Sequence, residues 1–365
     1  MPPAELVPPG QPALTADALL AAPRGRSMCV NLLDDRLAPP GRRARRAWLA
    51  AVGAAERGDA KRCARKLGQC VQIADLSVMP FGSGALLAGL LAAVGIAEYW
   101  QEPDAEDRGF AGDAARAALR PVAEAVAAAA AGIPDVGWWT EPADLSRQCC
   151  TQFLDQHPSP EPQLTGTATL VRAWLADTRD DERSAHDRPE DPAASFSGRW
   201  WSSPANSGLP VTTRGLPSLG AAGLVLVENE LGGRSARCWP VAPREGARVY
   251  EIGGPDRWAE LVDRYPLDVS TSRRHVWWRA TGLNGRWLIP DYAAAAADWD
   301  AIHVSVAGYL TTAGIAMPAG SGARTMLAGW DPDATWWLND VLFFTSEPEA
   351  WREDDKAPWR WSRAQ

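Results

Sequence analysis

The sequence predicts an α+β protein: a helical N-terminal region followed by a mostly antiparallel, tryptophan-rich β-sheet region with a few helices. Three observations carry this. Apolar residues recur at helical spacing in the first third, whereas past residue 192 the pattern changes to short apolar runs separated by Gly, Pro and Asn. The runs are not interleaved with regular helices as a doubly wound fold requires, and no GxGxxG, P-loop or GxSxG follows any of them. Finally, 365 residues with 46% hydrophobic and 22% charged side chains suffice for a large core, which excludes a disordered, collagen-like or coiled-coil chain.

The elements follow in chain order. From Arg45 to Ala55, Trp48, Val52 and Ala55 fall on one helical face, behind a cluster of arginines at 42, 43, 45 and 46. Gly58-Asp59 supplies a turn and a cap. Ala60, Cys63, Leu67, Val71 and Ala74 then form the apolar face of a second helix, so the pair reads as a helical hairpin. Val78 to Ala97 is uncharged but rich in Gly, and its helical part, Ala85 to Ala97, has the length of a core helix rather than a membrane span. Asp113 caps an alanine-rich helix ending at Gly132, with Pro121 expected to kink or divide it. This gives a helical region over 1–176. Residues 177–192 carry seven acids against three arginines and few apolar anchors, which predicts an exposed acidic linker or loop. The remaining region, 193–365, holds strand candidates at 224–227, 236–239, 248–252, 276–279, 286–289, 302–306, 325–328 and 336–344, the last broken near Asn339, with helices at 255–265 and 292–299.

A net charge of −8 argues against a protein that wraps nucleic acid or an acidic membrane surface. The N-terminus lacks a basic region followed by a long apolar stretch, so the expected location is cytoplasmic. Six cysteines without a CxxC pair or zinc-finger histidines predict free thiols and no structural metal; vicinal Cys149-Cys150 is the one pair whose chemistry merits a check. Only Lys61, Lys66 and Lys356 among the 37 basic residues are lysine, a bias that GC-rich codons produce and that weakens any argument from a single arginine. Codon bias does not explain 19 tryptophans, all but Trp48 and Trp100 lying at or beyond Trp138.

Four histidines, at 157, 186, 275 and 303, limit the acid–base chemistry available near neutral pH. His303 alternates with Ile302 and Val304 and reads as a sheet-face residue. The densest candidate is Ser270 to Arg279: Arg273, Arg274 and Arg279 offer forked donors for an anion, Trp277 a stacking surface, and His275 an acid or base at a loop-to-strand boundary. Arg199, Trp201 and Ser202 repeat the pattern. Glu251, inside an apolar strand, and Asp291, after Ile289-Pro290, are the candidate catalytic carboxylates.

The Ser270-Thr271-Ser272 element resembles one found in NAD-consuming ADP-ribosyltransferases, which pair it with an arginine on an earlier strand and a later glutamate. Arg248 is close in sequence for that arginine, and no Glu lies between Ser272 and Glu347, so the family is not assigned. The chemistry that remains predicts an enzyme acting by group transfer or hydrolysis on a small anionic ligand with a planar ring, such as a nucleotide; the residues call for no particular cofactor. The alternative is a non-catalytic module that docks a protein partner through its helices and a Trp/Arg surface.

Overall fold

The computed structural model describes residues 14–37, 42–76, 81–155, 161–216, 220–230, 232–354 and 357–364; His157, Lys356 and the start of the uncharged stretch at Val78 lie outside them. The N-terminal helices are α1 (Ala16–Ala21), α2 (Pro23–Leu37), α3 (Arg42–Glu56), α4 (Ala60–Ala74), α5 (Ser83–Gly95), α6 (Ala105–Ala111) and α7 (Asp113–Gly132). Thr15, Asp59 and Asp104 cap α1, α4 and α6 by accepting from otherwise orphaned N–H groups. The expected hairpin is α3 and α4, the latter burying Cys63, Leu67, Cys70 and Ala74. The core helix is α5, and its close approach to α2 needs Gly89, where a Cβ would lie 2.7 Å from Leu32 Cγ. Among the described residues no helix is long and apolar enough to cross a membrane. Pro121 does not divide α7: losing one backbone donor is outweighed by the buried stripe Leu119, Val122, Ala123 and Val126.

The second half contributes α8 (Thr167–Ser184), α9 (Pro255–Arg264), α10 (Ser270–Thr281), α11 (Tyr292–Ala295) and α12 (Val306–Thr312). Its principal sheet contains β1 (Gln148–Phe153), β2 (Val211–Leu216), β3 (Gly220–Ala221), β4 (Ser235–Pro243) and β5 (Val249–Ile252). Two short ribbons pair β6 (Pro266–Asp268) with β7 (Leu288–Pro290), and β9 (Met317–Ala319) with β10 (Ala323–Thr325); β8 (Ala301–Val304) belongs to the principal sheet. That sheet is completed by β11 (Thr335–Trp337), β12 (Leu342–Phe344), β13 (Glu349–Asp354) and β14 (Ala357–Arg363). Its order is β14-β13-β4-β1-β2-β11-β8-β5, with β12 also on β4 and β3 on β2; every pairing is antiparallel except β5 with β8. The fold is therefore α+β with a mostly antiparallel sheet, as the sequence predicts.

Period-two alternation sorts the sheet's residues by face. Tyr250, Ile252, Ile302 and Val304 join a core built with the helices, while Ala301 and Trp337 join a smaller cluster on the other face. The larger cluster runs from Leu14 to Leu338 and so includes residues on both sides of the acidic segment. α12 packs on α1, α2 and α9, and Gly308 lets it sit against β5, since a Cβ there would come 2.0 Å from the Ile252 carbonyl oxygen.

Three sequence expectations are corrected. The acidic segment 177–192 is not an open linker: residues 177–184 are the last turns of α8, and a 3-10 turn, Ala185–Asp187, follows. Asp177 and Asp181 are compensated in part by Arg199 and Arg273 from outside the segment, which local composition cannot register. Residues 276–279 belong to α10 rather than to a strand, and the strand expected at 224–227 is instead the end of a 3-10 turn, Ala222–Leu224, and the irregular residues after it. β1, β2, β13, β14 and α12 have no counterpart in the sequence reading.

Candidate ligand-binding site

Helix α10 starts where Ser270 accepts nothing from its own first turn but donates through Oγ to Asp268, and where the Glu182 carboxylate of α8 accepts from both Thr271 N and Ser272 N at 2.8 Å. A carboxylate on the positive end of the helix dipole is a strong cap supplied from far away in sequence. The Ser-Thr-Ser element is thus a helix start, occupied internally. The helix is covered on most sides, with Thr271, Ser272, Arg273, His275, Val276 and Trp277 all buried, so its sequence shows no amphipathic period. The irregular segment 188–203 lies along it as a strap.

The strap and α8 account for most of the predicted binding residues. Arg273 is 1% exposed and donates to Asp181 at 3.1 Å and to the Trp201 carbonyl; burial lowers its pKa to about 10. Arg199 makes a forked pair with Asp177 at 2.6 and 2.9 Å. Arg274 donates to the Pro189 carbonyl. Trp277 is fully buried against Trp287 and donates to the Trp200 carbonyl, and Ser202 bonds both backbone groups of Ala328. Trp201 is half-buried, edge-on to Trp200. These contacts hold the strap to α10, to α8 and to Ala328.

The predicted catalytic residues do not converge. His275 is buried beside Phe196, ring centroids 5.3 Å apart, and burial lowers its pKa. Asp291 caps α11 by accepting from Ala294 N and meets Arg179 at 3.3 Å. Glu251 lies on β5 in a separate network described below.

Arg279 differs from its neighbours. It donates through one terminal nitrogen to the Phe196 carbonyl at 2.8 Å, while its buried Nε has no hydrogen-bond partner. It lines an open cleft of about 630 Å³ whose other walls include Trp100, Trp200, Ser197 and Glu102. Trp100 and Trp200 meet there at 4.8 Å and 51°. A guanidinium beside two indoles and a hydroxyl is the combination the sequence reading sought, assembled from a different tryptophan of the strap and from the loop after α5. Trp100 could not have been found by its neighbours in sequence, because only the fold brings the 96–104 loop to α10.

Two buried polar networks were also missed. On the sheet face, Glu251, His303 and Thr335 lie in one cross-strand row. His303 is fully buried, its Nδ1 2.6 Å from Glu251 Oε2 and its Nε2 3.4 Å from Asp333 Oδ1. Burial opposes charge on the imidazole, but the two carboxylates outweigh it and raise its pKa to about 9. Asp333 also accepts from Arg214 Nε at 2.7 Å, and Arg214 meets Glu141 at 3.2 Å and stacks over Trp138. The signal was present: Glu251 and His303 both interrupt apolar strands, and matching the two strands in register makes them neighbours. The second network joins the two halves of the chain, Tyr99 donating to Glu228 at 2.7 Å and Glu228 N to Asp331. Burial and then Asp331 raise Glu228 to about 8, and burial raises Asp331 to about 6.

All six cysteines are free and buried. Burial raises Cys150 to about 12, and a hydrogen bond to Cys238 together with burial raises Cys149 further, so neither is a ready thiolate. Among the described residues no group of three or more His, Cys, Asp or Glu is arranged to hold a metal ion. No protein-family model, curated protein or solved structure matches the chain.

Proposed function

We propose that the protein binds a small anionic ligand with a planar ring, of the nucleotide class, in the cleft between the strap, α10 and the loop after α5. The observation that supports this is the Arg279 guanidinium, bonded through one terminal nitrogen to the Phe196 carbonyl and lining the same cleft as two indoles. A charge-assisted hydrogen bond from such a guanidinium to a phosphate or carboxylate is worth about 1.5 to 3 kcal/mol. Trp100 and Trp200 supply faces on which a ring can stack. Group transfer or hydrolysis on this ligand would draw its acid or base from Glu102, the carboxylate on the cleft wall, since Glu251 and Asp291 are engaged elsewhere and His275 is buried beside Phe196, outside the cleft lining. The alternative, a non-catalytic module that docks a protein partner through its helices and a Trp/Arg surface, is less well supported in its tryptophan part: Trp139, Trp258, Trp277, Trp287, Trp330 and Trp337 are all core.

Intrinsic fluorescence titrated against a panel of nucleoside mono-, di- and triphosphates tests the proposal, because Trp100 and Trp200 line the cleft. A saturable change is expected, with Arg279→Ala weakening the responding ligand at least about tenfold, equivalent to about 1.4 kcal/mol, without loss of helix content. A flat response across the panel overturns it.

A further inference from the structure

The α3–α4 hairpin carries a charge that the rest of the molecule does not share. Between Arg42 and Lys66 nine residues are basic and two, Glu56 and Asp59, are acidic, in a chain whose net charge is −8. The codon bias that discounts the arginines does not cover Lys61 and Lys66, two of the three lysines in the chain. Placement adds to this. The first turn of α3 has no acid and bears Arg43, against the helix dipole, so the charge is not there to stabilise the helix.

The basic side chains also face a groove. A cleft of about 790 Å³ runs between the two helices, with Arg43, Arg46 and Lys66 on its walls, Gln69 and Gln72 beside them, and Ile73 at its apolar floor. Two of the nearby acids are used elsewhere: Asp34 pairs with Arg45 at 3.3 Å, and Asp59 caps α4 through Arg62 N. Among the described residues Lys66 Nζ meets only the neutral Gln69 amide, at 2.9 Å. No carboxylate among the described residues pairs with Arg43 or Arg46, although both are exposed and their neighbour Arg45 has found one.

We propose that this groove docks an acidic segment of a partner protein. Charge complementarity selects an anion. The amides of Gln69 and Gln72 can serve a peptide backbone as donor and acceptor, and Ile73 with Ala47 can receive an aliphatic side chain. A nucleic acid would call instead for aromatic faces or a longer basic stripe, and the groove walls offer no aromatic ring. The surface is independent of the Arg279 cleft, which shares none of its residues.

Fluorescence anisotropy of the whole protein against a labelled peptide of alternating Glu and Leu, its Gln-for-Glu counterpart and a single-stranded oligodeoxynucleotide of equal charge tests the assignment. The acidic peptide is expected to bind, to weaken steeply with added salt, and to lose at least about tenfold in affinity in the Arg46→Glu, Lys66→Glu double variant. Circular dichroism and the melting temperature of that variant verify its fold, and the single variants Arg46→Gln and Lys66→Gln, each losing part of the affinity, serve if it does not fold. Failure of the acidic peptide to bind, binding indifferent to these substitutions, or an oligonucleotide that binds as tightly as the peptide overturns the proposal, the last assigning the groove to nucleic acid.

Discussion

Arg273, Arg274 and Arg279 share one helix, and their surroundings give them different work. Arg273 is enclosed by Asp181, Ser272 and the Trp201 carbonyl. Its removal leaves a half-buried carboxylate with fewer partners, so Arg273→Ala should lower stability in urea denaturation by about 3 kcal/mol, the lower end for a broken buried pair because Arg188 and Arg199 remain near Asp181. Arg274 makes one exposed contact to a carbonyl, and Arg274→Ala should stay within about 0.5 kcal/mol of the parent. Equal losses in the two variants would contradict this division. The sequence made the anion-binding chemistry of this segment legible but not its allocation, since a guanidinium is assigned to a carboxylate or to a cleft only by what packs beside it.

At the scale of elements, hydrophobic period served wherever one face meets water. The helices α3, α4 and α9 and the strands β4, β5 and β8 were all legible on that basis. It failed where burial is all round or compensation is remote. α10, covered on nearly every side, offers Val-Trp-Trp, which reads as a strand; α8 ends in an acid-rich stretch that reads as a linker until Arg199 and Arg273 are brought to it. Limited proteolysis should therefore leave residues 177–187 intact while exposed loops are cut, and early cleavage there would show that the α8 end is open. Glu182→Ala, which uncaps α10, should cost about 1 kcal/mol in global stability. The candidate site was legible only in part: Arg279 and the strap were named, while Trp100 and the pairing of Glu251 with His303 depend on long-range placement.

The whole molecule carries an unusual coupling between stability and pH. Folded His303, Glu228 and Asp331 titrate near 9, 8 and 6, each above its ordinary value of 6.5, 4.5 or 3.8. Each therefore holds its proton more tightly when folded. The stability they contribute is complete below the ordinary values and is lost as pH rises through the folded ones. The acids held low, such as Asp177 and Asp300, act in the opposite sense below about pH 4, and His275, held low by burial, does so up to its ordinary 6.5, one group against three. Melting temperature should consequently fall between pH 5 and pH 9, by stability on the order of a few kcal/mol. Glu228→Gln, which keeps the shape of a protonated carboxyl, should flatten the part of this decline below about pH 8. A melting temperature that rises steadily to pH 9 would show that the two networks do not hold these protons.

The claim that the Trp100, Trp200 and Arg279 cleft recognises a ring and an anion together is tested most directly by a cycle that removes the anion from the ligand and the guanidinium from the protein. Calorimetric affinities of AMP and adenosine for the parent and for Arg279→Ala supply its four corners. If the phosphate bonds Arg279, the two deletions overlap: removing the phosphate weakens binding at least about tenfold in the parent and hardly at all in Arg279→Ala, a coupling of about 1.4 kcal/mol or more. Equal losses in both proteins, or no heat from AMP in the parent, would contradict the account.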